Sequence, residues 1–460
     1  MSRFENLKAK VDLLRSRLMG EGNAATLARG AASSFTIRMT GTGINFVTQV
    51  VLARLLGVGS YGSYIYAITW ITVLGVVGKL GFDTASVRFV AAYSTQQAYG
   101  LLGGYLRYSS QVILLISIGT GLCLGLVSWI FQARYSVELL HTFWIAGAIL
   151  PLSTALEVQQ SRLRALKKII QGQLPQEVLV PLLVLVGTVI AAVWFKSDLD
   201  ARTAMSIRLV AVAVALSISF YLLIQVLPTE VRVSQPIFKS NEWFRAALAM
   251  VLVTGFNMVV AQTGTIVLGA TLGTKQVGMY AVASRIAELL VFILVAVNSI
   301  LAPLVASLYA KGEKTELQRI VRIGVWIVFS ISLTIAVILL IFGRQLLSLF
   351  GAEFTSSYPI LVVLIVSQLI NAMSGPVSLL LNMTGYHGDS AKILAVSATI
   401  NIGLNIGITP IYGAFGTALV TALTSLIWNG SMSIIVWYRL KIIAVAIPER
   451  IFSISLKGDN

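Results

Sequence analysis

Long apolar runs recur along this chain with little room between them, and nothing else restricts its fold so much. Twelve such runs stand near 31–53, 62–81, 108–131, 137–157, 175–195, 205–227, 246–270, 279–301, 322–343, 358–382, 390–410 and 414–437. Each approaches the roughly 20 residues that an α-helix needs to cross a bilayer core. In hydrocarbon the backbone must satisfy its own hydrogen bonds, and a helix does this within a single segment. The expectation is an all-α integral membrane protein with about twelve transmembrane helices. Composition agrees, since 57% of the 460 residues are hydrophobic and only 11% charged, against about a quarter charged in soluble domains. The first run is too long for a signal peptide and contains Arg38, and further runs follow it.

A net charge of +16 would suggest nucleic acid in a soluble protein. In a membrane protein, Lys and Arg concentrate on the cytoplasmic side. With a cytoplasmic N-terminus, 25 of the 34 basic residues fall in the N-terminal segment, the loops after even-numbered runs and the C-terminal tail. Both termini are therefore expected in the cytoplasm and no nucleic-acid partner is expected. The basic face is expected to favour anionic lipid of the bilayer. One cysteine, Cys123, and two distant histidines, His141 and His387, spell neither a disulfide framework nor a zinc motif, so no metal or cofactor is expected. At the N-terminus, Ser2-Arg-Phe-Glu5 fits a capping box, and Phe4, Leu7, Val11, Leu14 and Leu18 share a face. That pattern predicts an amphipathic segment, over 1–30, lying on the cytoplasmic membrane surface.

The chain also repeats itself at an offset of 216 residues. VLARLLGVGSYGSYIYA (51–67) then faces VLGATLGTKQVGMYAVA (267–283), with seven of seventeen positions identical, and Tyr93 falls on Tyr309. This predicts two six-helix parallel repeats, an N-lobe over 31–227 and a C-lobe over 246–438, joined by a cytoplasmic linker 228–245 and followed by a tail 439–460. Six is even, so both halves enter the membrane in the same sense, about an axis along its normal. The first copy contains Gly57-Val-Gly59-Ser-Tyr-Gly62, with Asp83 further on, the spacing of a dinucleotide fingerprint. A membrane helix precedes it instead of a strand, and the second copy replaces the middle glycine with Lys275. The shared remainder, Leu-Gly followed by Gly-x-Tyr, reads as a tight turn between two spans.

LARLLGVGSYGSY, GFDTASVRFVA (81–91), LFGAEFTSSYPILVVLIVSQL (349–369), LLLNMTGYHGDSAKI (379–393) and INIGLNIGITPIYGAFGTALVTAL (400–423) together resemble the multidrug/oligosaccharidyl-lipid/polysaccharide exporter superfamily. Within it the chain is most similar to the polysaccharide-biosynthesis flippases, which move O-antigen and other lipid-linked oligosaccharides. The resemblance implies a transporter of a bacterial cytoplasmic (inner) membrane and a polyprenyl-pyrophosphate glycan as substrate. It also implies polysaccharide-assembly proteins as partners.

Ionisable and amide groups inside a bilayer are costly and so are candidates for function. Arg38, Thr42, Asn45 and Gln49 recur at helical spacing on one face; they form either a cavity wall or, for Arg38, a side chain snorkelling to the interface. Arg54 ends the first run at the outer interface, as substrate contact or anchor. Arg88 follows the second run on the cytoplasmic side, with Asp83 near enough to pair with it, and reads either as a substrate contact or as a helix-end charge. Arg285 and Glu288, at i and i+3, form a structural pair or an anion site that Glu288 discharges. Glu157 reads as interfacial, and Asn257 and Gln262 are open as cavity candidates. Ser367, Asn371, Ser374, Ser378 and Asn382 form one polar stripe, and Ser397, Asn401, Asn405 and Thr409 another; both read first as helix-to-helix hydrogen bonding. Pro151, Pro303 and Pro376 mark hinges or kinks.

The expected function is a flippase, not an enzyme, carrying a lipid-linked oligosaccharide to the outer leaflet by alternating access. The chain holds no G-x-x-x-x-G-K-[ST] motif, so it carries no ATPase of that kind; coupling to a proton or sodium gradient, or passive exchange, is open. A drug/cation antiporter of the same superfamily is the alternative, and a membrane glycan polymerase or transferase is a further one, disfavoured because every outer loop is short.

Overall fold

The computed structural model describes residues 23–195 and 199–446; the amphipathic face expected from Phe4 to Leu18 lies outside them. The described residues are almost entirely helical and contain no strand. The helices are α1 Asn23–Lys79, α2 Phe82–Thr95, α3 Tyr99–Ile130, α4 Val137–Ala165, α5 Ile169–Trp194 and α6 Ala201–Val226. They continue with α7 Ser240–Leu272, α8 Thr274–Ala310, α9 Lys314–Phe350, α10 Ala352–Ser374, α11 Val377–Met383 and α12 His387–Leu440. All but the short α2 and α11 are long and apolar enough to cross a membrane, which makes ten such helices among the described residues. The twelve expected runs fall on these ten because α1 and α12 each carry two. A non-helical glycine breaks each of them, Gly57 (φ 69°, ψ 172°) in α1 and Gly413 (φ 61°, ψ −145°) in α12. Positive φ is open to glycine at no steric cost. The run expected over 358–382 is broken too, at Gly375 (φ 64°) and Pro376, so its polar stripe is divided between α10 and α11.

Gly57 lies at one end of the bundle and Lys79, one helical arm away, at the other. Helices α1 to α6 pack on one another, and so do α7 to α12. Between the two groups the second arm of α1 lies against α8, and the N-terminal part of α7 against α2 and α3. At the Gly57 end the hairpins are capped. Ser136 accepts from Leu139 N at 3.2 Å, Asp200 from Thr203 N at 2.9 Å, and Glu138 Oε1 from Ala201 N at 2.8 Å, so α4 caps α6 as well as itself. Partial burial pushes the Asp200 carboxyl up, but the bonds from Thr203 and Arg202 outweigh it and hold the group below the usual carboxylate range.

At the Lys79 end an extended strap crosses each group. After α6, Ile237 N donates to Gly100 O at 2.9 Å, and Ile237 O lies 2.0 Å from where a Cβ on Gly104 would stand, so only glycine fits there. After α12, Ile443 N donates to Gln318 Oε1 at 2.8 Å and Ile443 O accepts from Gln318 Nε2 at 2.9 Å. Ala446 N then bonds Met373 O at 3.0 Å. Gln318 stands at nearly the repeat spacing from Gly104, so the two halves share this strap as well as the glycine turn.

Candidate functional site

The repeat glycines meet. Gly273 has the same backbone as its image Gly57, φ 83° and ψ 176°. Five residues on, the second arm of α1 crosses α8 with Gly62 against Gly278. A Cβ on Gly62 would stand 1.8 Å from Thr274 O, and one on Gly278 would stand 2.5 Å from Val58 O. Gly59, which the second copy replaces, has nothing within 4 Å of its would-be Cβ. The same end carries Phe46 edge-on to Phe350 (5.7 Å) and Tyr61 edge-on to Phe354 (5.9 Å), pairs that add about 0.5–1.5 kcal/mol each beyond burial. The two groups are thus sealed together at the Gly57 end. At the Lys79 end they meet where buried Trp243 of α7 sits among Tyr93, Tyr105 and Tyr108 and donates Nε1 to the Tyr93 hydroxyl at 3.0 Å.

Three neighbouring chambers lie along the two arms of α1. One, of about 260 Å³, is enclosed by α1, α4, α5 and α6 and lined by Thr42, Asn45, Gln49, Tyr64, Thr72, Glu157, Gln176, Glu177 and Arg208. The second, of about 320 Å³, lies between the groups and is lined by Thr69, Thr72, Gln262, Tyr280, Ser284, Arg285, Glu288 and Gln368. The third, of about 460 Å³, is a mouth between the start of α1 and the middle of α8, with Phe35, Arg38, Met39, Thr42, Glu177, Glu288, Val291, Phe292 and Val295. Ile68 and Thr72 line the first two; Thr42 and Glu177 line both the first and the mouth; Glu288 lines both the second and the mouth.

Of the residues singled out in the sequence, Arg38, Asn45, Gln49, Gln262, Arg285 and Glu288 border these chambers. Arg38 is exposed at the mouth. Gln49 is committed within the fold: its amide donates to Asn45 Oδ1 at 3.4 Å and accepts from Tyr61 at 3.0 Å, tying the two arms of α1 across the Gly57 break. Arg285 and Glu288 pair at 3.1 Å, as their spacing predicts. Arg54, Arg88 and Asn257 are exposed and border none of the three chambers. Arg88 stands over the Phe89 ring, and Asp83 pairs instead with Lys79 at 3.4 Å, across the Gly81 turn that ends α1. Lys79 also pairs with Glu157, which the sequence placed at the interface.

Several wall residues went unmarked in the sequence, among them Tyr64, Gln176, Glu177 and Arg208. Arg208 carried the same signal as Arg38, a cation inside an apolar run, but near the run's start it read as an end charge. Another arginine, Arg162, is buried away from these chambers, bonded to Ser109 Oγ at 2.8 Å, Ser110 Oγ at 2.9 Å and Gln159 Oε1 at 3.3 Å. The polar stripe of α12 is consumed within the fold, with Asn401 to Thr424 and Thr409 to Thr417 bonded at 3.1 Å. Among the described residues no three His, Cys, Asp or Glu side chains come together as a metal site.

The chain is similar over nearly its whole length to solved transporters. It matches an inward-facing multidrug resistance MATE family transporter of the MOP superfamily with a TM-score of 0.69, 15% identity and 94% of this chain and 100% of that one covered. With the lipid II flippase MurJ in an inward closed conformation the TM-score is 0.69, the identity 16% and the coverage 94% and 93%. A MOP superfamily transporter from Pyrococcus furiosus, described by the reverse polarity of its binding pocket, matches at 0.63 and 16% identity, covering 93% and 97%. Among curated proteins, the probable low-salt glycan biosynthesis flippase Agl15 of Haloferax volcanii is 22% identical over 86% of this chain and 81% of its own. The probable flippase AglR of the same archaeon is 29% identical over 35% of this chain, an alignment that spans only 34% of AglR. The MatE family model matches residues 245–407. The model of the polysaccharide biosynthesis protein family matches residues 27–309, more than half of the chain, and to that family this protein belongs.

Proposed function

We propose that the protein is a flippase that carries a lipid-linked oligosaccharide across the membrane, its charged and sugar-bearing head in the chambers and its lipid tail in the bilayer. The observation that supports this most is the mouth. Phe35, Met39, Val291, Phe292 and Val295 give it an apolar side, while Arg38 and Glu288 stand beside them and lead to chambers walled by amides, hydroxyls and two further arginines. A water-soluble solute has no use for the apolar side, and a simple lipid has none for the polar chambers. An amphipathic molecule with an anionic head uses both. Guanidinium binds phosphate through paired hydrogen bonds, so Arg38 and Arg285 suit a pyrophosphate linkage, and Asn45 and Gln262 suit hydroxyls of a glycan.

The positive-inside sorting puts the Lys79 end, and with it the mouth, on the cytoplasmic side. Loading there and release at the Gly57 end require the Gly62–Gly278 crossing to part, which is alternating access between two packed groups. Glu288, paired with Arg285 at the junction of two chambers, is the group through which a proton or sodium gradient would couple. The test is transport in liposomes holding the purified protein and a fluorescent lipid-linked sugar. Protein-dependent crossing is expected, and Arg38→Ala is expected to slow it about tenfold or more, matching one charge-assisted hydrogen bond of roughly 1.5–3 kcal/mol. Export of organic cations with no crossing of any lipid-linked glycan would replace this reading with the antiporter.

A further inference from the structure

We propose that the chamber enclosed by α1, α4, α5 and α6 is a second anion-binding station, in which Arg208, held beside Tyr64, receives a phosphate group from the mouth. This rests on the flippase reading above and extends it to a place and a residue.

Two cations in or near the chambers are answered by carboxylates, and Arg208 is not among them. Lys79 has Asp83 and Glu157, and Arg285 has Glu288. Arg208 borders the chamber and makes one long hydrogen bond, Nη1 to the Tyr64 hydroxyl at 3.5 Å, while its Nε is buried without an acceptor. A buried donor left unsatisfied costs about 1–3 kcal/mol, and a cation within a membrane protein costs more unless something answers it. An oxyanion supplies what is missing, because a phosphate presents several acceptors to the planar fork of a guanidinium.

The carboxylates of the same chamber do not answer Arg208. Glu157 is engaged by Lys79 and sits toward the Lys79 end, eight residues before the last residue of α4. Glu177 lines the side shared with the mouth. Arg208 lies seven residues into α6, about 10 Å from the Gly57 end at 1.5 Å per residue. The station is therefore farther along the transport path than Arg38. Tyr64, fully buried, is two residues from Gly62, so parting of the Gly62–Gly278 crossing moves the residue that touches Arg208. An anion held there is poised next to the seal through which it would leave.

The probe is farnesyl pyrophosphate, a short isoprenoid pyrophosphate, titrated calorimetrically into the full chain in phosphatidylcholine nanodiscs, with farnesol and inorganic pyrophosphate alongside. Binding of farnesyl pyrophosphate but not farnesol is expected. Arg208→Gln is expected to weaken it about tenfold, Arg208→Lys to restore part, and Tyr64→Phe, which keeps the ring, to weaken it by a smaller factor. Should Arg208→Gln not fold, Tyr64→Phe decides alone. Unchanged binding and translocation in these variants, with Arg38→Ala still impaired, overturns the station and leaves the flippase reading standing. If the wild-type chain neither binds pyrophosphate nor translocates, both fall. If phosphatidylglycerol nanodiscs abolish binding in the wild type through Arg208, the site holds lipid headgroups and the assignment to substrate is overturned.

Discussion

Lys79 shows how one charge organises its surroundings. It stands at the last residue of α1, its side chain mostly buried, and answers both Asp83, across the Gly81 turn, and Glu157 of α4. Removing one carboxylate leaves it the other, whereas removing the cation leaves two carboxylates facing each other. Lys79→Met is therefore expected to destabilise the protein more than Glu157→Gln, by several kcal/mol against roughly 1, measured as thermal unfolding in detergent; equal losses would show that the pair is not a unit. The pattern of individual residues was legible where helical spacing alone decides it, as for Arg285 with Glu288. It was not legible for Asp83, whose partner depends on whether the chain turns or continues after Lys79. Arg54, Arg88 and Asn257 failed to reach the chambers for a related reason: being apolar or polar in a sequence says how deep a residue lies, not which way its side chain faces.

At the scale of elements the repeated turn has two separate functions that one motif concealed. Gly57 and Gly273 supply positive φ, Gly62 and Gly278 let two helices touch backbone to backbone, and Gly59 does neither. This explains why the second copy keeps the outer glycines and loses the middle one. Gly62→Ala places a methyl group 1.8 Å from Thr274 O, and since a backbone carbonyl cannot swing aside, α1 and α8 must separate. Spin labels at exposed Leu55 and Leu272, in a Cys123→Ser background, are expected to show longer and broader distances by pulsed resonance in Gly62→Ala than in the parent. An unchanged distribution would mean that the crossing does not hold this end closed. Gly59→Ala is the control, because open space surrounds it.

For the whole molecule, the two groups of helices are sealed along the Gly57 end and meet at the Lys79 end around Trp243, with the mouth between α1 and α8. Transport by alternation needs the sealed end to open. Cysteines replacing Phe46 and Phe350, whose rings touch at 5.7 Å, and bridged by a thiol-specific cross-linker with a cleavable spacer, are expected to stop translocation, with activity returning on cleavage. Translocation at full rate by the cross-linked protein would exclude rocking of the two groups about this end.

The sequence by itself determined the solvent of this protein, its helical class and its internal repeat, because a bilayer leaves the backbone no alternative to helices and because repeated glycines and tyrosines mark equivalent turns. Only the tertiary structure decided that Gly62 meets Gly278, that Asn401 and Thr409 of α12 bond Thr424 and Thr417, and that Arg208 lines the chamber next to the mouth where Arg38 stands. Those outcomes depend on the rotation and crossing of helices from distant parts of the chain, and hydropathy carries no information about either.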